Sequence, residues 1–375
     1  MTRTESDILV IGGGLHGLSV ALQLLRAGRS VTILEESWVG RHASGASAAG
    51  VRTMFRPVSE LPVSVEAAGM WHRIEDLVGD TCGFHANGQL RVAERDTDLI
   101  SLENRVRETR SAGFKHEEMI DRQTLRRLAP AIAPHCVGAL YVCTDGAADP
   151  HRTLRAFRVA VLAAGGLICE GTSVTGADHN DTGWKLLCGD RIFRAPVVVN
   201  AAGAWAGKIA AMLGDDIPLG VKASMMMVTE RVAPFLDPVV SAVGRTLSFK
   251  QSEQGTLVIG GGLQGRADVE AQRSFVDFER LARGARAATE LFPAVRNIRI
   301  VRTWAGIEAT TSDHQPVIGA STRSPGVFHV FGFSGHGFQL VPVTGLILRD
   351  LIIDTKTSRQ IASFAPDRLG VRSAA

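Results

Sequence analysis

Glycines near the amino terminus have a spacing that could bind a phosphorylated nucleotide. The apolar run Ile8–Ile11 leads into a GxGxxG pattern made of Gly12, Gly14 and Gly17. Leucines at helical spacing follow, and a second apolar run ends at Glu35. Gly12 permits a tight turn, Gly14 leaves space for a pyrophosphate, and Gly17 lets a helix pack closely on the strand. The pattern predicts a strand–helix–strand unit that binds a dinucleotide, with its phosphates at the helix N-terminus and its ribose at Glu35.

A loop of small residues follows the second predicted strand. Residues 43–50 read Ala-Ser-Gly-Ala-Ser-Ala-Ala-Gly, with Ser44 and Ser47 as hydroxyl donors. Such a loop can wrap a second side of an extended dinucleotide, which a nicotinamide dehydrogenase rarely needs. The alternative is a flexible linker, although a linker directly after the second strand of a nucleotide-binding unit is unexpected. The loop therefore favours FAD over NAD.

Length and composition are those of a globular protein. The 375 residues suggest two domains, and 45% hydrophobic with 21% charged residues are near the globular average. The 41 basic residues nearly balance 38 acidic ones, which excludes the charge excess of a nucleic-acid-binding or membrane-surface protein. Five scattered cysteines without a CxxC pair exclude a sequence-local zinc or iron–sulfur site, so we expect no metal. With no visible signal peptide and no run long enough to span a bilayer, we expect a soluble cytoplasmic protein.

A second GxGxxG pattern stands at residues 260–265, after another apolar run. It would indicate a second nucleotide site if a helix and an acid-ending strand followed. Residues 264–270 are instead polar, and Ala282–Arg286 stands where that strand would have to be. We interpret this segment as part of a substrate domain.

Three further segments complete a recognisable pattern. Val197–Ala206 is an apolar strand followed by small residues and a tryptophan, Trp304–Gly319 joins Trp-Ala-Gly-Ile-Glu to Asp-His-Gln-Pro, and Gly332–Gln339 is a glycine-rich loop before an apolar helix. Together with the amino-terminal unit, they resemble the D-amino-acid-oxidase-type family of FAD-dependent amine oxidoreductases. The resemblance runs from residue 7 to about residue 355. It is strongest to the flavin (β) subunits of heteromeric proline, hydroxyproline and opine dehydrogenases and to sarcosine oxidase β.

The resemblance implies an α/β fold with two interleaved domains. An FAD-binding Rossmann-like βαβ domain of the glutathione-reductase type would comprise residues 1–80, 145–215 and 300–375. A substrate domain with a mixed sheet would comprise residues 81–144 and 216–299.

The resemblance also implies which residues contact FAD. Glu36 is the alternative to Glu35 at the ribose, and His16 would be a spectator of the glycine turn. Val174, in the strand-like stretch 168–174, would meet the adenine through its backbone. The helix that begins in Gly332–Gln339 would point at the flavin pyrimidine ring, where its amides stabilise the negative charge of the reduced flavin. The expected FAD-binding residues are Gly12, Gly14, Leu15, His16, Gly17, Glu35, Glu36, Ser44, Ser47, Ala48, Val174, Ala201, Ala202, Gly203, Trp205, Gly306, Gly335, His336, Gly337, Phe338 and Gln339.

The chemistry implied by the family is hydride transfer from the carbon next to a nitrogen to flavin N5. A cation must hold the substrate carboxylate, and Arg52 and Arg56 are the candidates because they follow the small-residue loop. The alignment leaves both open, and Arg302 is a weaker third. His336 would contribute to the flavin environment or only to loop packing. Tyr141 would line the substrate pocket or be only a strand residue.

Gln339 departs from the pattern of related oxidases. Monomeric sarcosine oxidases carry a lysine in the equivalent slot, which helps oxygen chemistry and carboxylate binding. The uncharged Gln339 therefore argues against rapid reaction with oxygen. Gln339 is itself a candidate catalytic residue, because it occupies that slot. No cysteine lies near Trp304–Thr311, so we expect FAD to be bound non-covalently.

These features favour an FAD-dependent dehydrogenase of a secondary amino acid of the proline, hydroxyproline, sarcosine or opine type. The chain would be the catalytic subunit of a heteromeric enzyme, with partner subunits carrying the electrons onward. One alternative is a stand-alone oxidase that releases hydrogen peroxide. The other is a flavin-binding assembly subunit without turnover of its own.

Overall fold

The computed structural model describes residues 5–369. The β-strands are β1 (Ile8–Ile11), β2 (Val31–Leu34), β3 (Gly50–Val51), β4 (Gln89–Ala93), β5 (Glu118–Asp121), β6 (Gly138–Val142), β7 (Gly146–Ala147), β8 (Leu167–Cys169), β9 (Gly176–Asn180), β10 (Gly183–Cys188), β11 (Arg191–Ala195), β12 (Val197–Asn200), β13 (Gly220–Arg231), β14 (Val239–Ala242), β15 (Ser248–Gln251), β16 (Thr256–Gly260), β17 (Arg266–Asp268), β18 (Arg273–Phe275), β19 (Ile300–Thr310), β20 (Val317–Ala320) and β21 (Val327–Phe331). The α-helices are α1 (Leu15–Arg26), α2 (Leu61–Trp71), α3 (Ile74–Val78), α4 (Asp96–Ser111), α5 (Arg122–Leu128), α6 (Pro150–Ala163), α7 (Ala206–Met212), α8 (Phe278–Leu291) and α9 (Gly337–Ile353). Short 3₁₀ turns occupy Gly203–Trp205, Pro293–Val295, Ala362–Phe364 and Pro366–Leu369.

The amino-terminal strands form the centre of a six-stranded sheet with the order β20-β21-β12-β1-β2-β8. All neighbours in this sheet are parallel except β20 and β21. In β1, Ile8 stands beside Val31 on one side and Val197 on the other. Both β1 and β2 are buried along their whole length, as continuous apolar runs require. The predicted strand–helix–strand unit is confirmed.

Helices α1 and α9 pack against each other and share a hydrophobic core with β1. The contact is close because Gly345 has no side chain, and a Cβ atom there would lie 2.6 Å from the carbonyl oxygen of Ser19. The Oγ of Ser19 donates a hydrogen bond of 2.7 Å to the carbonyl oxygen of Val341, one residue before Pro342. Within residues 5–369, no helix combines the length and the apolar character needed to cross a lipid bilayer.

The larger sheet has eight strands in the order β19-β13-β16-β15-β14-β4-β6-β5. Its neighbours are antiparallel except β14 and β4, which run parallel. Along β13, Met225 and Met227 are buried in a core that includes residues of α8. Because successive side chains of a strand point to opposite faces, Lys222, Ser224 and Met226 lie on the other face of the sheet. That face forms part of the candidate site.

Two segments differ from the sequence prediction. The strand expected over residues 168–174 ends at Cys169, so Val174 lies outside it. Ile300–Thr310, which the predicted domain division places with the FAD-binding domain, pairs along β13 in the eight-stranded sheet. The domain division itself stays a prediction.

The second glycine pattern belongs to the large sheet. Strand β16 ends at Gly260, and the next element is strand β17, so no strand–helix–strand unit forms there. A Cβ atom on Gly260 would lie 2.1 Å from the Sδ of Met226, and one on Gly265 would lie 2.1 Å from the carbonyl oxygen of Phe275. These glycines allow close packing between neighbouring segments.

Candidate active site

The glycine turn after β1 has no room for side chains. Gly12 has a φ of 109°, and a Cβ atom there would lie 2.5 Å from the carbonyl oxygen of Ala201 on the segment after β12. A Cβ atom on Gly17 would lie 2.1 Å from the carbonyl oxygen of Gly12. Gly14 is the N-cap of α1 and makes no side-chain cap. The turn therefore leaves an uncapped helix N-terminus beside open space, which is the arrangement that a pyrophosphate requires.

Two acids follow β2, and only the first touches the glycine turn. Glu35 accepts hydrogen bonds from the backbone N–H groups of Gly13 (2.7 Å) and Ser37 (2.8 Å). Burial raises the pKa of Glu35, although these two hydrogen bonds work in the opposite direction. Glu36 instead accepts a hydrogen bond of 3.1 Å from the Oγ of Ser173. Both acids line the same cavity, with Glu35 as the one placed against the helix N-terminus.

The small-residue loop is held in place and is not a free linker. The backbone N–H of Leu15 donates to the Oγ of Ser44 (3.0 Å), which ties the loop to α1. From the large sheet, Trp304 donates to the carbonyl oxygen of Ala46 (2.9 Å) and the Nζ of Lys250 donates to that of Ala48 (2.6 Å). The loop therefore lies where the two sheets meet. Gly306 allows this approach, since a Cβ atom there would lie 2.5 Å from the Cβ of Ala46.

One cavity of about 580 Å³ gathers most of the predicted FAD-binding residues. Its lining includes Gly12, Gly14, Leu15, His16, Glu35, Glu36, Ser44, Ser47, Ala48, Val174, Ala201, Ala202, Gly203, Trp205, Gly306, Gly335, His336, Gly337 and Phe338. Gly17 is not part of the lining. Its role is to let α1 pack closely on the turn after β1. The cavity fits the predicted cofactor: the glycine turn leaves space, the helix N-terminus supplies N–H donors, and Glu35 supplies an acceptor for hydroxyls.

A second uncapped helix N-terminus faces the cavity. Helix α9 begins at Gly337, its N-cap His336 makes no side-chain cap, and both residues line the cavity. Ser334 (φ 54°) and Gly335 (φ 93°) give the preceding loop its sharp turn. The N-terminus of α9 thus presents backbone N–H groups and a positive dipole end to the cavity.

His16 joins the two glycine-rich segments and is not a spectator, which corrects the sequence interpretation. Its ring stacks on that of Phe333 with centroids 3.7 Å apart, and its Nδ1 lies 2.9 Å from the Oγ1 of Thr344. A Cβ atom on Gly337 would lie 3.0 Å from the Nε2 of His16. Burial lowers the pKa of His16 to about 3, so the ring is neutral.

Three predicted substrate-site residues lie away from the cavity. Gln339 is fully buried against α2, where its Nε2 donates to the carbonyl oxygen of Ser64 (2.6 Å) and its backbone carbonyl oxygen accepts from the Nε1 of Trp71 (2.7 Å). The Gln339 side chain therefore does not line the cavity, and the catalytic and FAD-binding roles predicted for it stay predictions. Tyr141 is a strand residue of β6, where its ring lies beside Gly88, outside the cavity lining. Arg302 is exposed and stacks on Trp304, also outside the cavity lining.

The segment after β3 carries the two predicted arginines, and both line the cavity. The buried carboxylate of Asp145 holds this segment by accepting hydrogen bonds from the N–H and Oγ1 of Thr53 (2.8 and 2.7 Å) and the N–H of Met54 (2.9 Å). Glu117 accepts from the N–H of Phe55 (2.6 Å) and from Arg105 (2.9 Å). Acids from outside the segment therefore fix the backbone between the two arginines.

Arg56, Glu60 and His336 form a buried cluster at the start of α9. The Nε of Arg56 lies 3.4 Å from the Oε1 of Glu60, and the Nδ1 of His336 lies 3.2 Å from its Oε2. Burial alone would raise the pKa of Glu60, but the hydrogen bond with His336 and the charge of Arg56 together lower it. Burial and the charge of Arg56 lower the pKa of His336 to about 4. Glu60 is thus ionised, and a neutral His336 donates its Nδ1 proton to it.

The large sheet contributes polar residues that the sequence interpretation missed. Gln89 and Arg91 on β4, Lys222 on β13 and Glu308 on β19 line the cavity. The Nζ of Lys222 lies 3.5 Å from the Oε1 of Glu308 and donates to the carbonyl oxygen of Ser334 (3.1 Å) in the loop before α9. A signal existed in the alternation of polar and apolar residues along β13. Arg91, between two buried apolar residues of β4, carried a similar signal.

Metal chemistry has no local basis in the part of the chain that the structure describes. No group of three or more His, Cys, Asp or Glu side chains there could hold a metal ion. The five cysteines are free thiols, and burial raises the pKa of Cys82 to about 12.

The helices α1 and α9 each begin after a glycine-rich turn, and both N-termini face one cavity beside a mixed sheet. This arrangement is typical of nucleotide-dependent oxidoreductases. The chain belongs to the family of FAD dependent oxidoreductases, whose sequence profile matches residues 7–351. The predicted family, the FAD cofactor, the α/β fold class and the assignment as an FAD-dependent enzyme are thereby confirmed.

The chain is similar over nearly its whole length to several characterised proteins. It is 26% identical to glycine oxidase of Geobacillus kaustophilus, with 96% of this chain and 97% of the relative covered. It is 25% identical to an opine oxidase subunit of Rhizobium meliloti, with 99% of each covered. Among solved structures, L-proline dehydrogenase from P. horikoshii superposes with a TM-score of 0.90 at 26% identity, covering 97% of both chains.

Proposed function

We propose that this chain dehydrogenates a secondary amino acid of the proline, hydroxyproline, sarcosine or opine type, as the catalytic subunit of a heteromeric enzyme. Non-covalently bound FAD would supply the hydride acceptor, flavin N5, for the hydrogen on the carbon next to nitrogen. The relatives named for glycine, opines and L-proline support an amino-acid substrate. The relative named as a subunit supports partner chains that receive the electrons.

The observation that carries the proposal is the guanidinium of Arg52 in the cavity. Among residues 5–369, no carboxylate lies within ion-pair distance of this side chain. Burial lowers the pKa of Arg52, while the more distant charges of Asp145, Glu60 and Glu117 oppose that effect. A half-buried cation without a partner has lost part of its hydration, and a substrate carboxylate would supply the missing charge in bidentate geometry. Arg56 is less available, because Glu60 already lies beside it.

The residues around α9 would serve the flavin end of the site. The N-terminus of α9 would stabilise negative charge on the pyrimidine ring. Because His336 is neutral, it adds no charge of its own there, and the opposite charges of Glu60 and Arg56 lie close to each other. The Gln339 side chain lies outside the cavity lining, so its lack of charge supports neither electron acceptor. The choice of a partner chain over oxygen therefore rests on the relative that is itself a subunit.

An anaerobic screen tests the proposal. The FAD-loaded full chain is mixed with N-methyl and cyclic amino acids in both enantiomers, and bleaching of the flavin is recorded. At least one of them should reduce the flavin. Loss of a charge-assisted carboxylate contact in Arg52→Ala should raise the concentration for half-maximal bleaching by about tenfold to a hundredfold. Arg56→Ala is compared in parallel, and Arg302→Ala, which removes an exposed arginine outside the cavity, should leave that concentration unchanged.

The screen also separates the alternatives. Flavin that no amine reduces would contradict catalysis and favour an assembly role. Rapid reoxidation in air with release of hydrogen peroxide would favour a stand-alone oxidase. An Arg52→Ala variant with the wild-type concentration dependence would refute the carboxylate assignment.

A further inference from the structure

We infer that the substrate carries two carboxylates, one bound by Arg52 and the other by Arg91. Both arginines line the floor of the cavity, by which we mean the part formed by the eight-stranded sheet and by the segment after β3. The substrate class would be a secondary amine flanked by two carboxylate-bearing arms. This inference rests on the proposed function and narrows it, because most of the amino acids considered above carry a single carboxylate.

Arg91 is placed to bind an anion. It lies on β4 between the neighbouring strands β14 and β6, and lines the cavity together with Gln89, two residues earlier on the same face. Its guanidinium carbon is 4.4 Å from the ring centroid of Phe55. Stacking on a ring fixes the plane of a guanidinium and leaves its N–H edge available. The Nε of Arg91 is buried without a hydrogen-bond partner in the described part of the chain.

The aromatic ring on which Arg91 stacks, that of Phe55, is held in place by specific contacts. Phe55 has a φ of 57°, a left-handed conformation that is unfavourable for a bulky residue. Its backbone N–H donates to Glu117 (2.6 Å), which is in turn paired with Arg105. The segment that carries Arg52 and the ring that supports Arg91 are thus fixed by the same contacts. A strained residue held in this way is typical of functional sites.

The other cations near the floor already have carboxylate partners. Arg245 is paired with Glu94 and Glu290. Lys222 is paired with Glu308, the acid that lines this part of the cavity.

Arg56 is paired with Glu60. Arg41 lies toward the nucleotide end, where it stacks on Trp38 and donates to Ser37. Across residues 5–369, this leaves Arg52 and Arg91 as the floor cations without a carboxylate partner.

One negative charge would leave the site unbalanced. Arg52 and Arg91 line the same cavity, and burial together with the charge of Arg52 lowers the pKa of Arg91. A substrate with one carboxylate neutralises one of them and encloses the other as an uncompensated charge, which is strongly unfavourable. A substrate with two carboxylates neutralises both.

Two amine-free probes test the inference. Glutarate has two carboxylates joined by three carbons, so it copies an amine with two acetate arms in which CH₂ replaces NH. Butyrate differs from it by a hydrogen atom in place of one carboxylate. Neither probe can reduce the flavin, and binding to the FAD-loaded full chain is measured by calorimetry and by the change in flavin absorbance.

Glutarate should bind at least about tenfold more tightly than butyrate, the value expected for one added charge-assisted contact. Arg91→Met keeps an apolar chain on the ring of Phe55 and should remove this preference, weakening glutarate about tenfold or more while changing butyrate by less than about twofold. Arg52→Met should weaken both probes. Arg302→Met is the control outside the cavity and should change neither.

Equal binding of the two probes by the wild-type chain would overturn the inference. So would an Arg91→Met variant that weakens both probes equally, because that result means one carboxylate shared by the two arginines. If Arg91→Met does not fold, Arg91→Lys, which keeps the charge, should still prefer glutarate, and loss of that preference in a folded Lys variant also counts against the inference. Failure of the proposed function is a separate result, since it appears as the absence of flavin bleaching and not in these binding data.

Discussion

Lys250 offers a test of how the small-residue loop is fastened to the large sheet. Its Nζ donates a hydrogen bond of 2.6 Å to the carbonyl oxygen of Ala48. Burial lowers the pKa of Lys250 from the ordinary 10.5 to about 8, opposed by the charge of Asp149. The ammonium is therefore enclosed at a cost when it is protonated.

The sign and size of the effect follow from proton linkage. An unfolded chain keeps this lysine protonated up to about pH 10.5, whereas the folded chain releases the proton near pH 8. Between these values the unfolded state binds more protons, so the free energy of unfolding rises with pH. Lowering the pKa of Lys250 from 10.5 to about 8 reduces the free energy of unfolding by about 3 kcal/mol when the lysine is protonated. About 2 kcal/mol of that free energy of unfolding should be regained between pH 7 and pH 9.5.

Urea unfolding of the FAD-loaded protein across that pH range measures this rise. Other groups titrate too, so the informative quantity is the wild-type free energy of unfolding minus that of Lys250→Met. It should increase by about 2 kcal/mol from pH 7 to pH 9.5. Lys185→Met, on the partly exposed strand β10, controls for the loss of a lysine as such. A difference that stays constant over this range would refute the reasoning.

Two glycine substitutions separate cofactor binding from stability, and a third substitution tests a buried acid. Gly14→Ala places a Cβ atom 3.2 Å from the Oγ of Ser44 at the mouth of the glycine turn, so it should weaken FAD binding about tenfold or more in a fluorescence titration while unfolding stays near wild type. Gly28→Ala has nothing within 4 Å of the new atom but forces alanine into a φ of 79°, so it should lower stability by about 1 kcal/mol with FAD affinity unchanged. Asp145→Asn replaces a carboxylate oxygen by an NH₂ group, which cannot accept from the N–H and hydroxyl of Thr53. The free energy of unfolding in urea should fall by about 2–4 kcal/mol. An unchanged urea midpoint would contradict the role given to this acid.

The nucleotide end of the site was predictable because its determinants are local. Gly12, Gly14 and Gly17 act within one turn, and their spacing reports the backbone geometry directly. The floor of the cavity could not be derived in the same way. Arg91 faces the cavity because β4 lies beside β14, whose residues are about 150 positions away in the sequence. Alternation along a strand shows which residues share a face, but only the paired sheet decides which face meets the cofactor.

Gln339 shows a different limit. The glycine-rich loop and the helix after it were predicted, yet successive helix positions point about 100° apart. Which of them faces the cavity depends on how α9 packs against α2, where the carbonyl oxygen and the hydroxyl of Ser64 bond to the Gln339 side-chain amide. Recognition of the loop and helix therefore did not fix the direction of this side chain.

The six-stranded sheet is assembled from widely separated parts of the chain, and this has a consequence for biosynthesis. Strand β1 can pair with β12 only after residue 197 has been synthesised, and β12 can pair with β21 only after residue 327 has been synthesised. The ribosome must therefore release most of the polypeptide before the nucleotide-holding layer is complete. Strand β2 is made early, but until β12 follows, the other edge of β1 has no neighbouring strand, so a nascent chain that stalls before then would expose this edge to other chains.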